Sequence, residues 1–221
     1  KLRNEEGLVQ KSKLKKAAWP LEDRVALLNS IKLCTKHKDL RQGSRIHANI
    51  IRRSLIHEDM YISNALISMY GRCGGMSDAK SIFESMQCRN VISWTAIIAA
   101  WCETGHFEKA VEDFKQMLLC GVQPDKVSFL CSLDACAMLS TLEEGARMNA
   151  TICKLGIENH WMIKTALINM YGKCGDLEAA RRMFNSMPVH DTISWNALIS
   201  AYDTEECSRE AGELFEIMQE R

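Results

Sequence analysis

From Val91 to about Cys102, apolar residues recur at helical spacing until Gly105 breaks the pattern. A second amphipathic run extends from Phe107 to about Leu119 and meets Gly121 and Pro124. Glycine just past a helix and proline beyond it are stop signals, so this stretch predicts two helices joined by a short turn. The pattern recurs. "NALISMYGRCGGMSDAKSIFESM" from Asn64, "TAIIAAWCETGHFEKAVEDFKQM" from Thr95 and "TALINMYGKCGDLEAARRMFNSM" from Thr165 have one shape. A Phe precedes a Met by three residues at Phe83 and Met86, Phe114 and Met117, Phe184 and Met187, and Phe215 and Met218. The phrase ISW-x-A returns with Trp94 and Trp195 101 residues apart, a spacing that reads as the sum of several shorter units.

Aligned on these features, the chain divides into 24–59, 60–90, 91–125, 126–160, 161–191 and 192–221, preceded by residues 1–23. Each unit predicts a helical hairpin, and its twentieth residue is small: Gly43, Ala79, Ala110, Gly145, Ala180 and Ala211. A missing side chain at one place in the second helix permits the close approach that interlocks stacked helix pairs. Such stacking builds an α-solenoid with a concave face lined by first helices. Only three prolines are present, and no alternating apolar and polar run suggests a strand.

Composition narrows the function classes. The chain is 47% hydrophobic and 25% charged, enough for a packed core. Lys plus Arg and Asp plus Glu both number 28, so any nucleic-acid role must rest on a local surface instead of an overall positive field. No apolar run reaches the length of a bilayer span, and no membrane role is expected. The ten cysteines form no CxxC pair and mostly sit inside apolar phrases, which reads as reduced core thiols in a reducing compartment. Residues 1–23 read as a basic N-terminal extension in which no transit peptide is identifiable.

The alternation of 36-, 31- and 35-residue units, with "MYGRCG" and "MYGKCG" at the first turn, resembles the plant pentatricopeptide repeat proteins of the PLS subclass. "VISWTAIIAAWCETGHFEKAVEDFKQMLLCGVQPD" looks like a P motif. "KVSFLCSLDACAMLSTLEEGARMNATICKLGIENH" looks like an L motif and "WMIKTALINMYGKCGDLEAARRMFNSMPVHD" like an S motif. The order L, S, P, L, S, P then runs from 24 to the end, the last P unit incomplete. The tetratricopeptide repeat has a constant 34-residue period and a different first-helix motif, and would imply a protein-binding scaffold without RNA readout.

The resemblance implies a right-handed α-solenoid superhelix that binds single-stranded RNA, one base per repeat. In the family the fifth residue meets the base edge, the last residue of the motif assists, and the second packs on the base plane. Short amides and hydroxyls suit that task, because an unpaired base exposes its hydrogen-bonding edge. Carried onto this chain, Asn64 with Asn90 implies cytosine over uracil, Thr95 with Asp125 guanine, Thr165 with Asp191 guanine, and Asn196 a pyrimidine. Base-packing falls to Tyr61, Ile92, Val127, Met162 and Ile193, with Val25 in the first unit. Leu28 and Leu130 occupy the fifth position of the L units and make no edge hydrogen bond. Arg72 and Lys173 are phosphate candidates. The structural alternative for Asn64, Thr95 and Thr165 is helix capping or local hydrogen bonding.

Catalysis is not expected from these residues. His106-Phe107-Glu108 spells the H-x-E of zinc deaminases, but no PCxxC accompanies it. No metal site or cofactor is expected, and a deaminase would have to lie in a further C-terminal region or in a partner. The resemblance implies organellar C-to-U RNA editing in chloroplast or mitochondrion, with the repeats placing a chosen cytidine. It also implies docking of small editing-factor proteins on the L units.

Overall fold

A computed structural model of the chain describes residues 21–52, 59–205 and 207–219. Residues 1–20 of the basic extension lie outside that range. The described residues form twelve α-helices and no strand. They pair as α1 (Leu21–His37) with α2 (Leu40–Arg52), α3 (Met60–Cys73) with α4 (Met76–Ser85), and α5 (Val91–Glu103) with α6 (Phe107–Leu119). The series continues with α7 (Lys126–Leu139) and α8 (Leu142–Lys154), α9 (Trp161–Lys173) and α10 (Leu177–Asn185), and α11 (Thr192–Thr204) and α12 (Ser208–Gln219). The helices foreseen in 91–125 end within one residue of the observed ones. At the other end of the chain, α1 already includes residues 21–23, which the sequence pattern had left in the extension. Glu22 and Asp23 lie in its first turn, where negative charge complements the helix dipole.

Each first helix packs on the next first helix, α1 on α3, α3 on α5 and so on to α11, whereas among the described residues no two second helices pack on each other. Each second helix instead lies against the first helix of its own unit, and all but the last also touch the first helix of the next unit. The close row of first helices forms the inner layer of an α-solenoid. The second helices are spread over its outer side.

Two kinds of seam hold the stack in register. Between the 60–90 and 91–125 units, a Cβ built on Gly71 of α3 would sit 2.4 Å from Ala100 Cβ and 2.9 Å from its Cα. Gly172 of α9 meets Ala201 of α11 in the same way, at 2.3 and 3.2 Å. Two first helices thus touch backbone to backbone through a glycine and an alanine. Between 24–59 and 60–90 the space left by Gly43 is filled by Met69, and between 126–160 and 161–191 that left by Gly145 is filled by Met170. The small twentieth residue of these units therefore admits a methionine from the following unit.

The Trp of the ISW phrase is a packing residue. Trp94 and Trp195 are buried, and each lies edge-on to the Phe of the preceding second helix, Phe83 at 4.9 Å and Phe184 at 4.7 Å between ring centroids. Phe114 and Phe129 repeat the geometry one seam further on, at 5.3 Å. Such pairs add about 0.5–1.5 kcal/mol beyond the area they bury.

Candidate functional site

The inner ends of the first helices are set by their caps. Asn90 Oδ1 accepts from Ser93 N at 3.0 Å, Asp125 Oδ1 from Ser128 N at 2.8 Å and Asp191 Oδ1 from Ser194 N at 2.8 Å. The last residue of one unit is thus the N-cap of the next unit's first helix. Capping belongs to the terminal residues and not to Asn64, Thr95 or Thr165. A cap holds its side chain at the mouth of the next unit's first helix, and Asp125 there stands beside Thr95, the fifth residue of the unit that it ends.

The fifth residues differ in engagement. Thr95 Oγ1 donates to Asp125 Oδ1 at 3.1 Å, so that predicted pair is joined directly. No donor among the described residues reaches the other carboxylate oxygen of Asp125. Thr165 Oγ1 donates to the Trp161 carbonyl of its own helix at 3.0 Å and makes no bond to Asp191. Asn64 is 7% exposed, and its buried Oδ1 has no hydrogen-bond partner among the described residues. An unpaired buried acceptor costs about 1–3 kcal/mol. Asn196 stands exposed on α11.

The second residues form an apolar ridge along the same face. Tyr61 is 62% exposed, Ile92 51%, Ile193 58%, and Val25 and Val127 nearly as much. Met162 is half-buried. Large aliphatic and aromatic groups left in water at the same place in successive units need an apolar contact surface to explain them. The Arg24 guanidinium lies 5.0 Å over the Tyr61 ring and forms an ion pair with Asp59, which caps α3.

Arg24 and Asp59 form a clamp that periodicity alone does not reveal. The 126–160 unit repeats it with other residues: Lys126 Nζ lies 3.4 Å from His160 Nε2, while His160 Nδ1 accepts from Met162 N at 3.2 Å and caps α9. A basic residue opening a 35- or 36-residue unit, facing a capping residue at its end, is the signal that could have found it. The phosphate candidates are unequal. Arg72 Nε is held by Glu103 Oε1 at 3.1 Å, whereas Lys173 has no ion-pair partner among the described residues and extends along Met138.

Comparison with known proteins agrees with this architecture. Residues 89–138 match the profile of the PPR repeat family, and 61–91, 164–191 and 193–221 match that of the PPR repeat, together more than half of the chain. A pentatricopeptide repeat-containing protein of Arabidopsis thaliana is 36% identical over 89% of this chain and 28% of its own length. The chloroplastic pentatricopeptide repeat-containing protein CRR2 of the same plant is 34% identical over 89% of this chain and 31% of its own. The chain therefore spans less than a third of the length of these relatives. Among solved structures, the maize protein PPR10 superposes with a TM-score of 0.70 at 17% identity, over 97% of this chain and 31% of that one. The same maize protein, solved in complex with an 18-nt RNA element, superposes at 0.64 with 20% identity, over 81% of this chain and 27% of that one. Taken with the stacked hairpins, these matches show that the chain belongs to the pentatricopeptide repeat family.

Proposed function

We propose that the chain is a sequence-reading module for single-stranded RNA, of the PLS subclass, and part of an organellar factor that selects cytidines for C-to-U editing. The observation that carries the RNA reading is the ridge of exposed apolar second residues running beside a row of short polar side chains. A base wedged between neighbouring second residues would stack on both, with its edge toward the fifth residue and the cap. The unpaired Oδ1 of Asn64 and the open oxygen of Asp125 are acceptors suited to base amino and imino donors. Under this reading Asn64 with Asn90 selects cytosine, Thr95 with Asp125 and Thr165 with Asp191 select guanine, and Asn196 a pyrimidine. Lys173 is the freer phosphate contact, since Arg72 must first leave Glu103.

Tyr61 is the only aromatic in the ridge. Stacking on aromatic platforms contributes roughly 1–3 kcal/mol per base, so the aliphatic steps contribute less. The L-type units, with Leu28 and Leu130 at the fifth position and exposed Leu33 and Met138 nearby, are assigned to docking of small editing-factor proteins. The organelle is chloroplast or mitochondrion, as the names of the relatives suggest for those proteins.

The test is binding to single-stranded RNAs permuted at one base, at fixed salt. A wrong base at a well-formed contact costs about 1–3 kcal/mol. Thr95→Asn combined with Asp125→Asn should move the preference at one position from guanine to a pyrimidine and leave the others unchanged. Unchanged preference refutes the base code, and affinity equal for all sequences and for none of the RNAs above background favours a protein-binding scaffold.

A further inference from the structure

Cys102 and Cys131 face each other across the seam between α5 and α7. The Cys102 thiol donates to the main-chain carbonyl of Cys131 at 3.3 Å, which sets the two side chains against each other across the seam. Both side chains are half-buried. Two other thiol pairs cross the seams that follow the 24–59 and 126–160 units, but there Cys73 Sγ stands 3.8 Å from the Cys34 carbonyl and Cys174 Sγ 3.9 Å from the Cys136 carbonyl. Burial pushes the acidity of those four thiols toward the neutral form. Of the six thiols displaced from their ordinary range, Cys131 alone is moved toward the thiolate, by its contact with the Cys102 side chain. Cys102 is moved the other way by the same contact and by burial.

We propose that Cys102 and Cys131 are an oxidisable pair that closes into a disulfide and staples the 91–125 unit to the 126–160 unit, with hydrogen peroxide as the oxidant. The Cys131 thiolate attacks one peroxide oxygen, the O–O bond breaks, and a sulfenic acid forms on Cys131 as hydroxide leaves. Cys102 then attacks the Cys131 sulfur. The S–S bond forms as the S–O bond breaks, and the departing hydroxide takes the Cys102 proton to leave as water. One peroxide is reduced to two waters and two thiols become one disulfide. Leu130 and Glu103 flank the pair, so the cross-link ties together the two first helices at the inner face.

The experiment uses the 221-residue chain, oxidised with hydrogen peroxide, alkylated and digested without reductant. The expected product is a peptide pair joined through Cys102 and Cys131, lighter by two hydrogens than the separate peptides and separated again by dithiothreitol. Cys136 shares a tryptic peptide with Cys131, so fragmentation must assign the sulfur. Cys102→Ser should leave a sulfenic acid on Cys131 that dimedone traps. Cys131→Ser should abolish rapid oxidation at Cys102. Linkage through Cys136, linkage confined to the exposed Cys88 or Cys120, dimedone trapped first on Cys102, or no linkage at all overturns the proposal. The wild-type map decides the matter even where a variant fails to fold.

Discussion

Two seams, one between α1–α2 and α3–α4 and the other between α7–α8 and α9–α10, share their packing and differ in their polar chemistry. In both, the space beside a glycine of the first unit is filled by a methionine of the next: Gly43 by Met69 and Gly145 by Met170. In both, a tyrosine of the later unit reaches back to the second helix of the earlier one. In the first seam its partner is a histidine, with His47 Nδ1 and Tyr70 Oη 2.9 Å apart. In the second it is an amide, with Asn149 Nδ2 donating to Tyr171 Oη at 3.0 Å. The turn inside the 24–59 and 126–160 units takes a left-handed residue that is not glycine, Lys38 or Ser140. The clamps diverge again, Arg24 on Asp59 against Lys126 on His160. Shape is held because the stack must close at van der Waals distance. Polar partners can be exchanged so long as a donor still meets an acceptor.

The largest effect should come from the seam that both copies share without variation. Gly71→Ala and Gly172→Ala gain about 1 kcal/mol of helix propensity but drive a Cβ into the neighbouring alanine, and its backbone cannot retreat as a side chain would. Each should lose about 1–2 kcal/mol net in urea unfolding, by equal amounts. Gly145→Ala, which meets only the flexible end of Met170, should lose less. If it costs as much as Gly172→Ala, the distinction between the two kinds of seam fails.

Next come the tyrosines. Tyr70→Phe and Tyr171→Phe each strand a polar partner and should cost about 1 kcal/mol, read as faster amide exchange in α2 or α8.

The copies should part company with pH. Burial holds the pKa of His47 below its ordinary 6.5, with Asp78 opposing only in part. Below pH 6.5 the unfolded chain therefore binds a proton that the folded seam resists. The stability that His47 gives the first seam should be complete above pH 6.5 and fall as the pH drops toward the depressed value, while the Asn149 amide gives the second seam no such response. His47→Asn should remove this acid sensitivity, and Asn149→His should create it in the second seam. Equal acid response of α2 and α8 in the wild type would refute the assignment. The smallest effect is that of Arg72→Ala. Its pair with Glu103 is exposed, so stability should change by less than about 0.5 kcal/mol, and RNA affinity should change less than it does for Lys173→Ala.

Much of this was legible in the chain. The 3.6-residue period and the Gly and Pro punctuation located α5 and α6 to within a residue, because helix ends depend on local backbone chemistry. The small twentieth residue announced a close approach. It could not say that Met69 and Met170 of the following unit would fill the gap, since that depends on two segments far apart in sequence. The same limit hid the difference between Thr95, bound to Asp125, and Thr165, bound to its own helix. Both are threonine followed by aspartate at the end of the unit, and only the surrounding geometry separates them.

By itself the sequence determined that this protein is a stack of helical hairpins with six small residues at its interlocking points and a repeating polar position beside an apolar one. Those features are local or periodic, and every unit states them again. The tertiary structure decided which caps serve which helices, that Arg72 is held by Glu103 while Lys173 is not, and that two cysteines 29 residues apart share one seam. These are contacts between units, set by how one hairpin lies on the next. No single unit carries that information.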